Sequence, residues 1–159
     1  MKIIFADVDG CLNCNSTKAV TPSGCVGVAD KYIKRLKKII DLTGAQVVLS
    51  SDWKLANEKD YRYLTNKLYY KGGIRIISQT PNIRWDWRGH EIREWLYENR
   101  DVVENYVVLD DIHFADFDDG DFYSHVVLTN PDEGLTDEDV DRAIEILNSG
   151  VNQHESICD

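Results

Sequence analysis

The sequence predicts an α/β fold, with a doubly wound, mainly parallel sheet and helices on both faces. Short apolar runs rich in β-branched residues alternate with stretches whose apolar residues recur at helical spacing. Continuous apolar runs of about four residues are typical of strands buried on both faces, as in parallel sheets. Helices that connect such strands cross over on either side of the sheet, which gives the doubly wound arrangement.

Five apolar runs predict the strands, at residues 3–6, 46–49, 74–77, 106–109 and 125–128. Four segments predict helices, near residues 32–40, 61–68, 92–96 and 140–147. The last helix is preceded by a Thr136-x-x-Asp139 capping box, and glycines at Gly44 and Gly72-Gly73 end the first two.

Composition limits the class of protein. The 159 residues carry 28 Asp+Glu and 18 Lys+Arg, a net charge of −10, and 43% are hydrophobic, which excludes a disordered chain. Apolar runs are far shorter than the roughly 20 residues of a spanning helix. We expect one domain over residues 1–159, located in the cytoplasm, with no membrane association and no obligate protein partner.

The charge is unevenly distributed along the chain. Residues 1–100 hold 17 Lys+Arg and 11 Asp+Glu, a balance of +6, whereas residues 101–159 hold one Arg and 17 acids, a balance of −16. The acidic total argues against indiscriminate nucleic-acid binding, which requires a basic surface. Because the acids alternate with apolar strand and helix patterns, we expect them to belong to folded structure.

Carboxylates follow two of the predicted strands. Asp7 and Asp9 come after the first strand, and Asp110 and Asp111 come after the fourth. The carboxyl ends of parallel strands meet at one edge of the sheet, where four carboxylates would repel each other. Asp also commonly ends a strand and caps a helix, but that does not explain four acids at one crevice. The pattern predicts a Mg²⁺ site.

The same edge would carry the groups needed for phosphate chemistry. One of the two carboxylates Asp7 and Asp9 could attack an electrophile while the other transfers protons. A hydroxyl at Ser50, after the second strand, and a cation near Arg88 would complete an anion site.

These residues match known motifs in order and spacing. Asp7-Val8-Asp9-Gly10-Cys11-Leu12-Asn13 resembles the D-x-D-G-x-L-N first motif of the haloacid dehalogenase (HAD) phosphohydrolase superfamily. Val47-Val48-Leu49-Ser50 resembles its second motif, Arg88 stands where the family has Lys or Arg, and Val107-Val108-Leu109-Asp110-Asp111 resembles its acidic fourth motif. The resemblance implies a Rossmann-like HAD fold, and the short loops imply a capless or minimally capped form.

A closer resemblance is to the HAD domains of Swiss-army-knife RNA-repair proteins. It is carried by Ser50-Ser51-Asp52-Trp53-Lys54, by Arg88-Gly89-His90-Glu91-Ile92, and by Thr129-Asn130-Pro131 with Gly134-Leu135-Thr136. It implies a Mg²⁺-dependent phosphomonoesterase whose partner is a phosphorylated substrate, such as a nucleotide or a nucleic-acid end. The alternatives are a non-catalytic phospho-acceptor or binding module, or a phosphatase of phosphoproteins or small metabolites.

The family resemblance implies a role for each catalytic residue. Asp7 would form an aspartyl-phosphate, and Asp9 would protonate the leaving oxygen and then activate water. Ser50 would hydrogen-bond a phosphoryl oxygen, and Arg88 would balance the negative charge. Ser51 remains an alternative to Ser50.

Metal and substrate contacts follow from the same resemblance. Asp110 and Asp111 would hold Mg²⁺ together with Asp7 and the main-chain carbonyl of Asp9, with Asp116 as a further acid. Arg84 and Lys54 remain alternatives to Arg88 as the cation. The predicted substrate-binding residues are Ser51, Trp53, Lys54, Arg84 and Trp87. The indoles could instead pack on the core.

Overall fold

The chain folds around a five-stranded sheet in which all strands are parallel. A computed structural model describes residues 1–83 and 87–150. The strands are β1 (Lys2–Ala6), β2 (Gln46–Leu49), β3 (Ile76–Gln79), β4 (Asn105–Asp110) and β5 (Val126–Leu128), in the order β3-β2-β1-β4-β5. The predicted doubly wound, Rossmann-like sheet is confirmed. Because the strand order reverses between β1 and β4, the crevice for a ligand lies beyond their carboxyl ends.

Helices cover both faces of the sheet. They are α1 (Asp30–Thr43), α2 (Glu58–Gly72), α3 (Arg88–Glu98) and α4 (Asp137–Asn148). Side chains of α1, α2 and α4 share one apolar core, whereas α3 packs on the other face with two 3₁₀ turns, Ala115–Asp118 and Phe122–His125. A further 3₁₀ turn, Asp52–Leu55, follows β2.

The central strand β1 is buried on both of its faces. Ile4 and Ala6 belong to the core beneath α1, and Ile3 and Phe5 belong to the core beneath α3. Phe5 meets the ring of Trp95 edge-to-face at a centroid distance of 5.4 Å. Because β1 is buried on both faces, its sequence is a continuous apolar run and does not alternate between apolar and polar residues.

The third strand lies two residues later than predicted, so the assignment to residues 74–77 was wrong. Ile74 lies two residues after α2 instead: its amide donates to the carbonyl of Leu68 at 3.1 Å, after Gly73 turns the chain with a φ of 62°. Ile74 is buried, whereas Ile77 is exposed. β3 is therefore an edge strand with alternating burial, rather than a strand buried on both faces.

The segment between β1 and α1 is a loop that takes the place of a cap domain. Residues 7–29 contain no helix, and their main regular feature is one antiparallel bridge between Val20 and Val26. The expected minimal cap agrees with this arrangement. In the parts of the chain that the structure describes, every helix is too short or too polar to cross a membrane.

Candidate active site

Three parallel strands bring the predicted motifs to one edge of the sheet. Ala6 is in register with Leu49 of β2 and with Leu109 of β4. The hydrogen bonding continues one residue further, because the amide of Asp7 donates to Leu109 and the amide of Ser50 donates to Ala6, both at 2.9 Å. Asp7, Ser50 and Asp110 thus follow or end three adjacent strands.

The acidic cluster at this edge comprises Asp7, Asp110 and Asp111. One carboxylate oxygen from each lies within 4.8 Å of the other two. Asp7 and Asp110 are buried, and Asp111 is half-buried. Three carboxylate oxygens at this spacing are a donor set suited to a hard cation such as Mg²⁺.

Asp9 and Asp116, the other two acids predicted for the site, hydrogen-bond to groups outside this cluster. Asp9 is exposed, and its Oδ1 accepts a hydrogen bond from Nδ2 of Asn13 at 2.9 Å. The structure therefore does not bring the Asp9 carboxylate into the cluster. Asp116 accepts from the amide of His90 at 2.7 Å, at the N-terminus of α3, where a carboxylate stabilises the free amides.

Arg88 is the cation of the site. It is the first residue of α3 and is buried. Its Nη1 donates to Oδ2 of Asp110 at 2.9 Å and to the main-chain oxygen of Ser50 at 2.6 Å, and it lies 3.6 Å from Oδ1 of Asp7. Nη2 lies 3.6 Å from Oδ1 of the exposed Asp52, a partner that the sequence analysis missed.

Burial and crowding alter the acid–base properties of the cluster. The pKa of Asp7 is raised well above 3.8 by burial and by the charge of Asp110, against the opposing effects of Arg88, the Ser51 hydroxyl and the Val8 amide. Burial raises the pKa of Asp110 to about 7. Although burial disfavours its charged form, the pKa of Arg88 is raised by Asp110 and Asp7. A group of acids this crowded gains from a cation.

The two serines after β2 are used differently. The Ser50 hydroxyl is buried and has no hydrogen-bond partner among the described residues. The Ser51 hydroxyl accepts from the amide of Trp53 at 3.3 Å and so caps the 3₁₀ turn. A buried hydroxyl without a partner is costly, so Ser50 is the group poised for a ligand oxygen.

A family comparison agrees with this geometry. The family model for the HAD domain in Swiss Army Knife RNA repair proteins matches residues 3–140. The chain belongs to this HAD family. The matched range contains the three strand-end motifs and Arg88, and the family indicates a phosphatase of the HAD type. Neither the curated proteins nor the solved structures that were compared include a match.

The HAD first-motif loop is held by contacts of Gly10, Asn13 and Thr129. Gly10 has a φ of 77°, and a Cβ there would lie 2.4 Å from Oδ2 of Asp111. The amide of Gly10 donates to Oδ1 of Asn13 at 2.9 Å, and its carbonyl accepts from Oγ1 of Thr129 at 2.7 Å. Asn13 thus orients both Gly10 and Asp9. Its sequence signal was its place as the last residue of the D-x-D-G-x-L-N motif.

A cleft of about 580 Å³ opens beside the motifs of the HAD domain. Its walls include Asp9, Asp111 and the indole of Trp53, which is otherwise buried in the core. Cys14, Cys25 and Val26, from the loop over residues 7–29, also line the cleft. Trp53 therefore both packs on the core and borders the cleft.

The remaining predicted substrate residues lie elsewhere or outside the described residues. The Lys54 ammonium is buried and donates to Glu91 at 2.7 Å, to Pro81 at 2.8 Å and to Thr80 at 3.2 Å. It contacts neither Asp7 nor Asp110, in contrast to Arg88. Trp87 is 53% exposed and meets the ring of His90 edge-to-face. Arg84 lies outside the described residues, so its predicted role stays a prediction.

Proposed function

We propose that this HAD domain is a Mg²⁺-dependent phosphomonoesterase that acts through an aspartyl-phosphate on Asp7. The observation that carries the proposal is the carboxylate cluster of Asp7, Asp110 and Asp111, with oxygens within 4.8 Å of one another at the carboxyl edge of β1 and β4. The buried, unpartnered hydroxyl of Ser50 supports it, because Ser50 follows the strand next to that of Asp7 and its hydroxyl can donate to a ligand oxygen.

In the first step, a carboxylate oxygen of Asp7 forms a bond to phosphorus as the bond from phosphorus to the ester oxygen breaks. Asp9 donates its proton to that leaving oxygen. In the second step, water attacks phosphorus, Asp9 accepts a proton from the water, and the bond between phosphorus and Asp7 breaks. The exposed position of Asp9, held by Asn13, suits a group that exchanges protons in both steps.

Ser50 and Arg88 would stabilise charge during both steps. The Ser50 hydroxyl would donate to a phosphoryl oxygen, and the Arg88 guanidinium would offset the negative charge of the nucleophile and phosphate. Asp7, Asp110 and Asp111 are the side chains that would hold Mg²⁺, with the main-chain carbonyl of Asp9 as a further ligand. The bound ion would supply charge neutralisation at the phosphoryl oxygens.

We propose nucleotides and nucleic-acid phosphate ends as substrates. The family to which the chain belongs is that of HAD domains in RNA repair proteins. The indole of Trp53 borders the cleft beside Asp9, where it could contact a base. Residues 7–29 add no cap domain, which leaves the cleft open to a large substrate. The cytoplasmic location stays a prediction.

Hydrolysis of an aryl phosphate tests the chemistry. We expect turnover with Mg²⁺, loss of turnover with a chelator, and loss in Asp7→Asn, whereas the exposed Asp101→Asn serves as the matched control. Acid quench after incubation with a ³²P-labelled substrate should trap label on the wild-type protein and none on Asp7→Asn. Turnover retained by Asp7→Asn would exclude the covalent mechanism.

Substrate preference needs a second experiment. We expect higher kcat/KM for 3′- or 5′-phosphorylated oligonucleotides and nucleoside monophosphates than for phosphopeptides or small sugar phosphates. A preference for phosphopeptides would contradict the proposed substrate class while leaving the chemistry intact.

A further inference from the structure

Helix α2 presents a second cleft, of about 490 Å³, on the outer surface of the protein. The cleft is lined by basic and aromatic side chains spaced three, four or seven residues apart, which places them on one side of the helix. They include Lys59, Arg62, Tyr63, Lys67, Tyr70 and Lys71. From residue 59 to residue 71 the helix rises about 18 Å at 1.5 Å per residue.

The lining of the α2 cleft is positive although the protein is acidic. Its described residues include four Lys or Arg and no Asp or Glu, whereas the whole chain has a net charge of −10. Two acids form ion pairs with these cations: Glu58 is 2.7 Å from Arg62, and Asp30 is 3.5 Å from Lys67 and 3.3 Å from Lys71. The four cations and the two acids paired with them have a balance of +2.

These ion pairs leave the cations of the α2 cleft available to another ligand. The side chain of Arg62 is 68% exposed and that of Lys71 is 49% exposed. Exposed pairs of this kind contribute little to stability and are screened by salt. The cations can therefore exchange their carboxylate partners for phosphates at low cost.

Aromatic rings accompany the cations of the α2 cleft. Tyr70 is 77% exposed, and its ring meets that of Tyr69 edge-to-face at 5.2 Å. Tyr63 is held in place because its hydroxyl accepts from the amide of Val28 at 3.3 Å. Aromatic side chains between cations are the combination that binds single strands, since bases stack on the rings while Lys and Arg contact the backbone.

The α2 cleft and the cleft of about 580 Å³ beside Asp9 and Asp111, here called the catalytic cleft, are lined by two ends of one loop. Pro22 lines the former and Cys25 the latter, and the loop between them is held by Asp60 of α2, which accepts from Thr21 at 3.0 Å and from the Ser23 amide at 3.1 Å. The described lining of the catalytic cleft includes four acids and no Lys or Arg. Among the described residues, α2 therefore offers a cationic lining on the other side of the loop that borders the catalytic cleft.

We propose that the basic and aromatic face of α2 binds single-stranded nucleic acid whose phosphorylated end occupies the catalytic cleft. Lys59, Arg62, Lys67 and Lys71 contact successive phosphates, and a base stacks on Tyr70. The placement of the end rests on the proposed function. Binding of the strand to α2 requires no catalysis and is tested separately.

Fluorescence anisotropy with a labelled single-stranded oligonucleotide that carries hydroxyl groups at both ends tests the proposal. Without a terminal phosphate, the probe reports the α2 face and not the phosphatase site. We expect Lys59→Gln/Lys67→Gln to weaken binding about tenfold and to reduce the slope of log K against log salt by about 1.4, since each phosphate contact on a single strand contributes about 0.7.

The matched control is Lys34→Gln/Lys38→Gln, which removes the same charge from exposed positions of α1. We expect it to change the Kd less than twofold. Tyr70→Ala should weaken binding about tenfold through lost stacking, whereas Tyr70→Phe should retain it. Thermal unfolding of each variant verifies that it is folded.

Several results would overturn the proposal. They are the absence of oligonucleotide binding at 50 mM salt, equal losses in the α1 and α2 double variants, and tighter binding of a duplex of the same length. Equal binding of polyglutamate, with no effect of Tyr70→Ala, would instead assign the face to an acidic protein partner. Failure of the wild-type protein to hydrolyse an aryl phosphate would refute the proposed function. It would not affect the conclusion drawn from the binding of the oligonucleotide to α2.

Discussion

Arg88 donates a hydrogen bond from Nη1 to the main-chain oxygen of Ser50 at 2.6 Å, while the hydroxyl of the same serine is buried without a partner. The guanidinium that balances the acids thus also fixes the backbone that presents the free hydroxyl. All three of these neighbours, Ser50, Asp110 and Asp7, lie at Nη1, which leaves Nη2 to face Asp52 at 3.6 Å, so the planar guanidinium spans two separate sets of partners.

The two serines after β2 should respond in opposite ways to removal of their hydroxyls. We expect Ser50→Ala to lower kcat/KM for an aryl phosphate about 10- to 100-fold, the effect of one hydrogen bond to a charged group. Its melting temperature should stay equal or rise, because an unpaired buried hydroxyl is removed. Ser51→Ala loses a cap worth about 1 kcal/mol and should melt earlier. If Ser51→Ala lost more activity than Ser50→Ala, then Ser51 and not Ser50 would be the serine that binds the phosphoryl oxygen.

A side chain at Gly10 should destroy the metal site. In Gly10→Ala, the Cβ would lie 2.4 Å from Oδ2 of Asp111, so that carboxylate must move. We expect loss of activity and loss of the rise in melting temperature that Mg²⁺ gives to the wild-type protein. Gly120→Ala is the matched control, since Gly120 has a φ of 64° and no neighbouring atom within 4 Å of its Cβ position. Equal effects in both variants would indicate backbone strain alone.

The crowded acids should make the metal-free protein less stable as the pH rises. Folding raises the pKa of Asp110 from 3.8 to about 7. Between these values the folded protein binds more protons than the unfolded chain, so the free energy of unfolding falls as the pH rises from about 4 to 7. With a chelator present, we expect thermal unfolding of the wild-type protein to occur earlier at pH 8 than at pH 5.

Asp110→Asn should remove part of this effect, since the raised pKa of Asp7 contributes to it as well. At pH 8 with a chelator, the variant should melt at least about 2 °C above the wild-type protein, the shift that 1 kcal/mol gives at this chain length. It should also gain less from added Mg²⁺ and lose activity. A variant that melts below the wild-type protein under these conditions would show that Asp110 stabilises the fold through Arg88.

The buried pair of Lys54 and Glu91 should be important for stability. We expect Lys54→Met to lower the free energy of unfolding by about 3–5 kcal/mol, because it leaves the Glu91 carboxylate buried without its cation. Lys54→Met/Glu91→Gln should recover part of the loss, since Gln keeps an acceptor for the amide of Ile83, which donates to Glu91 at 2.8 Å. Urea denaturation measures both values. Unchanged stability in Lys54→Met, with a raised KM, would favour the substrate-binding role.

Local sequence patterns predicted the parts of the structure that depend on neighbouring residues. β2 spans residues 46–49 as predicted, and the capping box of Thr136 and Asp139 is formed, with both of its hydrogen bonds present. The prediction of β3 failed because Ile74 is as apolar as the strand residues that follow it. Only the packing of the α2 C-terminus, where Gly73 turns the chain, distinguishes the two.

The sequence by itself determined that acids and a hydroxyl would meet at one sheet edge, because parallel strands place their carboxyl ends together. The tertiary structure decided which groups are available to a ligand. Arg88 lies against Asp7 and Asp110, whereas Lys54 is held by Glu91, 37 residues away in the chain. Charge and residue type are local properties, but a side chain's partners depend on distances between elements that the chain brings together only on folding.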